Sequence, residues 1–145
     1  MTTYNKVNIL TQVEAAYIAG LIDGEGTITL SRKHRNENRQ LVISISNTEV
    51  NLLNYVKDAV GAGRITRKRT YSEAHTPSKT YQITNRQALD LLKQIAPYLK
   101  SYKSDRAALI LEHYISLTPR NGRYSQEKHE KREDFIRQFF TLHPN

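Results

Sequence analysis

The sequence predicts an α+β protein built around an antiparallel sheet. Two pairs of strand-like segments lie between segments of helical periodicity, in the order helix, two strands, helix, two strands and further helices. The length of 145 residues indicates a single domain, and a domain of this size buries roughly 70% of its unfolded surface. The absence of cysteine excludes a disulfide scaffold, a thiolate zinc site and a cysteine nucleophile.

The first helix is predicted to begin after Thr11. Thr11 and Glu14 have the spacing of a capping box, with a hydroxyl at the N-cap and a carboxylate three residues later. Residues compatible with a helix continue to about Asp23, and the glycines at 24 and 26 are expected to end it.

Four strands are predicted where polar and apolar or β-branched residues alternate. The predicted strands cover residues 27–33, 39–46, 64–71 and 80–84. The first pair is joined by a polar turn, and the second pair is joined by a loop that contains Pro77.

Polar caps and helix breakers bound the remaining helices. The second helix is expected to be capped by Asn47 or Thr48 and to end at the glycines of 61–63, and the third to be capped by Asn85 and broken by Pro97. Two more helices are expected to start at Ser104, ending before Pro119, and at Ser125. The apolar stripe of the last helix consists of Phe135, Ile136, Phe139 and Phe140.

Positive charge is concentrated in the predicted strand region. The net charge is +8, and residues 26–85 hold ten basic and four acidic residues. A localised basic surface favours a polyanionic partner such as nucleic acid, although a basic protein without such a partner is the alternative. No apolar run approaches the ~18–20 residues of a membrane span, and no secretory signal is visible, so we expect no membrane association and an intracellular location, in a bacterial or phage cytoplasm or an organelle.

Small residues recur every four positions on the first helix, at Ala16, Gly20 and Gly24. These small residues allow another backbone to approach one face of the helix closely. That backbone belongs either to a second helix or to the protein's own sheet. Asp23 and Glu25 lie at the helix C-terminus, where carboxylates are unfavourable. A hard divalent cation resolves this conflict, because Mg²⁺ takes carboxylate and carbonyl oxygens and shares its other positions with water and substrate phosphates.

The segment Ile18-Ala-Gly-Leu-Ile-Asp-Gly-Glu-Gly26 resembles the signature of the LAGLIDADG homing endonucleases. The resemblance covers about residues 10–117, with 118–145 as a C-terminal helical extension of the same domain. It implies an αββαββα core whose sheet forms a DNA-binding saddle, and site-specific double-strand DNA cleavage that depends on Mg²⁺ or Mn²⁺. One motif rather than two implies a homodimer on a long pseudo-palindromic site. The residues expected at the dimer interface are Ala16, Ile18, Gly20 and Leu21.

The resemblance also assigns the candidate catalytic residues. Glu25, where the family usually has Asp, matches the metal-binding acid, and the Gly24 carbonyl would be a second ligand. Asp23 is expected to be structural. Asn47 matches a polar residue that orients water, with a helix cap as the alternative. Lys103 matches a lysine that faces the scissile phosphate, although Lys100 is possible and a solvated surface lysine is the alternative.

The polar faces of the four strands are candidates for reading DNA bases, because a β-ribbon fits the major groove. We expect Arg64 and Lys68 to contact guanine, Val42 to contact a thymine methyl group, and Arg32, Arg35, Arg67 and Arg69 to contact phosphates or be solvated. The predicted DNA-binding residues are Thr29, Ser31, Lys33, Gln40, Val42, Ser44, Arg64, Thr66, Lys68, Thr80 and Gln82.

Two alternatives to a DNA-cleaving enzyme stay open at this point. One is a LAGLIDADG-type RNA maturase, with intron RNA as partner, or a nucleic-acid-binding protein that no longer cleaves. The other is an unrelated basic structural or ribosome-associated protein, for which the acid-Gly-acid motif would have no reason. The five histidines show no metal-ligand spacing.

Overall fold

The computed structural model describes residues 5–67, 77–118 and 125–144. The α+β prediction is confirmed: a four-stranded antiparallel sheet is packed against helices. The elements in chain order are α1 (Gln12–Glu25), β1 (Gly26–Ser31), β2 (Gln40–Asn47), α2 (Val50–Val60), β3 (Arg64–Arg67), β4 (Lys79–Thr84), α3 (Asn85–Ile95), a 3-10 turn (Ala96–Tyr98), α4 (Tyr102–Leu117) and α5 (Gln126–Thr141). The strand order across the sheet is β1-β2-β4-β3.

Helix α1 begins as predicted but ends later. The Thr11 hydroxyl accepts a hydrogen bond from the Glu14 amide at 3.1 Å, and a Glu14 carboxylate oxygen accepts one from the Thr11 amide at 2.8 Å. The helix then continues through Gly24 to Glu25, because a single exposed glycine costs about 1 kcal/mol and does not stop a helix that is held by tertiary contacts. The C-cap is Gly26, whose amide donates to the Ile22 carbonyl.

Gly26 is required by the close approach of helix and sheet. A Cβ atom at this position would lie 2.9 Å from the Ile22 Cα atom and 3.0 Å from the Ser44 carbonyl oxygen. Both neighbours are backbone atoms and cannot move aside cheaply. The turn from α1 into β1 therefore fixes where the helix end sits against strand β2.

The caps of α2, α3 and α4 differ from the predictions. Glu49, rather than Asn47 or Thr48, is the N-cap of α2, and Thr84, rather than Asn85, is the N-cap of α3. Helix α4 begins at Tyr102 rather than Ser104, with Ser101 as its N-cap. The α5 prediction is confirmed, since Ser125 accepts a hydrogen bond from the Lys128 amide.

The core lies between the inward face of the sheet and helices α1 to α4. The inward strand residues that are buried are Ile28, Leu30, Leu41, Ile43, Ile45, Tyr81 and Ile83. Helix α1 contributes the stripe Ala15, Ile18, Ala19 and Ile22, and α3 contributes Ala88, Leu89, Leu91, Leu92 and Ile95. Because successive strand residues point to opposite faces, this burial leaves the alternate residues on the outer face of the sheet.

Two buried arginines attach helix α5 to the rest of the fold. Arg106 donates to the Ile28 carbonyl at 2.8 Å and to the Leu142 carbonyl at 2.6 Å. Arg132 donates to the carbonyl oxygens of Leu117 and Arg39. These bonds join α4, α5 and the β1–β2 hairpin.

Candidate nucleic-acid interface and acidic centre

The outer face of the sheet carries a continuous polar surface. The strand register places Ser44, Gln82 and Arg64 in one row. A second row contains Ser46, Thr80 and Thr66, and further rows pair Thr29 with Val42 and Ser31 with Gln40. Residues directly opposite each other on antiparallel strands share a face. The structure therefore brings nine of the eleven predicted DNA-binding residues onto one surface.

The other two predicted residues are Lys33 and Lys68. Lys33 follows β1 and lines a concavity of about 360 Å³ together with Gln40, Arg64 and Gln82. Lys68, with Arg69 and the end of the strand predicted over 64–71, lies outside the described residues. We refer below to the outward residues of β1 to β4 together with Lys33 as the polar sheet face.

Three further residues lie on this face that were not among the predicted ones. Thr27, Ser46 and Thr84 occupy the same rows as the predicted residues, and the strict two-residue period could have found them. Val42 lies on the outward side by register but is only 8% exposed. That Val42 contacts a thymine methyl group stays a prediction, and the exposed part of its side chain is small.

The signature carboxylates lie where α1 ends at the edge of the sheet. Glu25 is exposed, and its Oε2 atom accepts a hydrogen bond of 2.7 Å from the Asn47 side-chain amide. The Asn47 Oδ1 atom in turn accepts a bond of 2.8 Å from the Glu49 amide. The predicted acid and the predicted polar residue are therefore in direct contact. The amide of Asn47 holds one oxygen of Glu25 in a fixed position.

Asp23 has the structural place that was expected for it. Its carboxylate accepts hydrogen bonds from the Lys100 amide at 2.8 Å, the Ser101 amide at 3.2 Å and the Ser101 hydroxyl at 2.5 Å. Burial alone would raise the pKa of Asp23, but these bonds and the charge of Lys103 lower the pKa below its ordinary value. Asp23 therefore ties the end of α1 to the start of α4, where a helix N-terminus favours negative charge.

Lys103 is placed beside the acidic centre but is not a surface lysine. It is 7% exposed, and its ammonium group donates to the carbonyl oxygens of Ile22 at 2.8 Å and Asp23 at 3.0 Å. Burial lowers the pKa of Lys103, while the carboxylate of Asp23 opposes this shift. The alternative of a solvated lysine is therefore wrong. Two of the three N–H groups of Lys103 are used to cap helix α1, whereas Lys100 is exposed.

Helix α1 presents an exposed face that the rest of the chain does not cover. Val13 is 78% exposed and Tyr17 is 46% exposed. Ala16, Gly20 and Gly24 are also exposed, and a Cβ atom added at Gly20 or Gly24 would meet nothing within 4 Å. The packing within the described part of the chain does not account for these glycines.

Two of the predicted interface residues are placed differently from Ala16 and Gly20. Ile18 is fully buried in the core of the protomer, so its assignment to a dimer interface is wrong. Its position with Ala15, Ala19 and Ile22 on the core stripe of α1 explains this. Leu21 is half-buried, at the edge of that stripe.

Among the described residues, no group of three or more His, Asp or Glu side chains lies close enough together to hold a metal ion. At the end of α1 the chain supplies the exposed carboxylate of Glu25 and the helix-end carbonyl of Gly24. Within the described ranges, no helix is long and apolar enough to cross a membrane.

Comparison with known proteins identifies the family. The family model of the LAGLIDADG endonucleases matches residues 18–110, from the middle of α1 to the middle of α4. This match covers more than half of the chain. The chain therefore belongs to the LAGLIDADG endonuclease family. It matches no curated protein sequence significantly.

Solved structures of homing endonucleases share the fold. The chain is 18% identical to I-CvuI in complex with its target in the presence of Ca, with a TM-score of 0.74, covering 92% of this chain and 84% of that one. The archaeal intron-encoded endonuclease I-Vdi141I, complexed with DNA, is 16% identical with a TM-score of 0.62, covering 92% and 86%. I-AabMI, bound to uncleaved DNA, is 23% identical with a TM-score of 0.63, covering 84% of this chain and 43% of that one.

Proposed function

We propose that the protein is a site-specific endonuclease that hydrolyses both strands of duplex DNA with a divalent metal ion and acts as a homodimer. The contact between Glu25 and Asn47 carries this proposal, because it joins an exposed acid at the end of α1 to an oriented amide at the end of β2. A protein that only binds nucleic acid has no need for an acid at that place, where it would repel phosphate.

The donor groups present fit a hard divalent cation. The carboxylate of Glu25 and the carbonyl of Gly24 are oxygen ligands of the kind that Mg²⁺ and Mn²⁺ take. Glu25 has one methylene more than the usual Asp, and its carboxylate would offer the cation the same ligand chemistry. When bound, the cation supplies Lewis acidity at the scissile phosphate and lowers the pKa of water.

The protein's own residues supply positioning. Asn47 holds one carboxylate oxygen of Glu25 and is itself held by the Glu49 amide, so the orientation of Glu25 is set before DNA binds. Lys103 donates hydrogen bonds to the carbonyl oxygens of Ile22 and Asp23 and so stabilises the helix end that carries Glu25. Hydrolysis then forms a bond between the water oxygen and phosphorus, and the bond from phosphorus to the leaving oxygen breaks.

Three observations support a homodimer. The end of α1 in one protomer provides one exposed carboxylate, Glu25, whereas two helices α1 packed against each other would bring two Glu25 side chains together. Glycines at 20 and 24 lower the stability of the helix, and no close contact within the described part of the protomer requires them. I-AabMI, of which this chain spans 43%, is long enough to contain two such units.

The polar sheet face is the surface that would read the DNA. Arg64, Gln82 and Ser44 lie in one row and provide donors and acceptors of the kind that distinguish base pairs in the major groove. No observation favours RNA over DNA as the partner.

Cleavage of a randomised duplex library tests the proposal. The protein is incubated with the library in Mg²⁺ and, separately, in Ca²⁺, and the new ends are sequenced. We expect Mg²⁺-dependent cuts at one site with two-fold related half-sites and 3′ overhangs. Scattered cutting, or cutting that persists in a chelator, would contradict it.

A further inference from the structure

Two basic residues, Lys79 and Arg67, lie at the same end of the sheet as the acidic centre. Asn47 on β2 is directly opposite Lys79 on β4, and Lys79 is directly opposite Arg67 on β3. The three residues therefore form one row and share the inward side of the sheet, with Cβ atoms of neighbours ~4.5–5.5 Å apart. We call Asn47, Lys79 and Arg67 the end row.

The end row lies just beyond the hydrophobic core. The preceding inward row is formed by Ile45, Tyr81 and Ile65, of which Ile45 and Tyr81 are buried. The end row is thus the polar row at this edge of the core, with Asn47 and Lys79 half-buried and Arg67 exposed. Its first member, Asn47, donates to Glu25 at 2.7 Å.

The cations of the end row are not neutralised within the described part of the chain. No carboxylate there lies within 4.0 Å of Lys79 or Arg67, and neither side chain has a hydrogen-bond partner among these residues. Lysine often protects the outer strand of a sheet from pairing with another chain. That role does not account for Lys79, because β4 lies between β2 and β3.

The lysine that the family resemblance suggests is engaged elsewhere. Lys103 is 7% exposed and donates to two carbonyl oxygens of α1. A phosphate brought to Glu25 carries a negative charge and would be repelled by that acid. On the described strands, Lys79 and Arg67 are the cations that lie in the same row as Asn47, beside the Glu25–Asn47 pair.

We propose that Lys79, assisted by Arg67, binds a backbone phosphate of duplex DNA beside the Glu25–Asn47 pair and positions the strand for cleavage. The inference rests on the proposed function as a DNA endonuclease. The ammonium of Lys79 provides a point charge, and the guanidinium of Arg67 provides a fork that can hold two phosphate oxygens. Neither residue would read sequence, because phosphates are the same at every position.

The test compares the Lys79→Ala, Lys79→Arg and Lys93→Ala variants with the wild type. Each is bound, in Ca²⁺ and at several salt concentrations, to a duplex that the wild-type protein has selected from a randomised library. Lys93 is exposed on α3, in the helical layer, and serves as the control. We expect Lys79→Ala to lower the slope of log affinity against log salt by about one per protomer. Lys79→Arg and Lys93→Ala should keep the wild-type slope.

A neutral phosphate locates the contact. Single methylphosphonates are placed at successive positions around the cut, and the loss of affinity is measured for the wild type and for Lys79→Ala. We expect one position at which the methylphosphonate lowers the affinity of the wild type but does not further lower the affinity of Lys79→Ala. An unchanged salt slope, or equal losses at every position, would overturn the inference. Failure of the wild type to select any duplex would instead overturn the proposed function, and the inference with it.

Discussion

Replacing Lys103 with methionine should destabilise the protein before it affects any chemistry. Methionine keeps the length and the apolar stem of the side chain but removes the ammonium group. The Ile22 carbonyl would keep its bond from the Gly26 amide, whereas the Asp23 carbonyl would lose the donor at 3.0 Å. A buried acceptor without a partner costs about 1–3 kcal/mol. At about 2–4 °C per kcal/mol, the melting temperature should fall by roughly 2–12 °C.

Thermal unfolding followed by circular dichroism measures this change, with Lys100→Met as the control. Lys100 is exposed, and its amide, which bonds to Asp23, is unaffected by the substitution. The control should melt within about 2 °C of the wild type, because exposed substitutions usually change stability by less than 0.5 kcal/mol. A Lys103→Met protein that melts like the wild type would refute the capping role.

Three further predictions concern assembly, specificity and pH. Gly20→Leu should abolish the dimer, because its side chain would fill the open face of α1; an unchanged sedimentation mass of the folded variant would reject the interface. Arg64→Ala should relax base preference at one position in each half-site, with a loss of about 1–3 kcal/mol of discrimination, whereas Arg67→Ala should lower the affinity for all sequences alike. Profiling both variants against single-base changes of the target separates the two effects. The reverse result would mean that the strand register is wrong by one residue. Asp23 has a lowered pKa in the folded protein, so its contribution to stability is present above its unfolded pKa of about 3.9 and is lost as the pH falls through the folded value; acid unfolding should therefore be shallower for Asp23→Asn below about pH 4, and equal slopes would count against the contribution.

The alternation of residue types predicted both faces of the sheet because the side-chain period of a strand is two. Ile43 and Ile45 are buried, and Ser44 between them lies on the outer face, as the pattern requires. The same reasoning applied to α1 would have placed Ile18 correctly. Ala15, Ile18, Ala19 and Ile22 have the spacing of one helix face, and that face packs on the sheet.

The features that the sequence did not predict depend on contacts between distant segments. Lys103 lies among polar residues in the sequence, and only the packing of α4 against the end of α1 buries it. The early start of α4 depends on the bonds from Lys100 and Ser101 to Asp23, more than 70 residues away. Asn47 does not cap α2, because its side chain is used by Glu25 and the Glu49 amide.

The most direct test of the account compares the wild type with the Glu25→Gln variant on one cleavable duplex. Glutamine keeps the size of the side chain and a carbonyl oxygen that can still accept the hydrogen bond from Asn47, but a neutral amide is a much poorer ligand for a hard cation. We expect equal affinity for the duplex in Ca²⁺ and no cleavage by the variant in Mg²⁺. Cleavage by Glu25→Gln at the wild-type rate would contradict the assignment of Glu25 as the metal-binding acid.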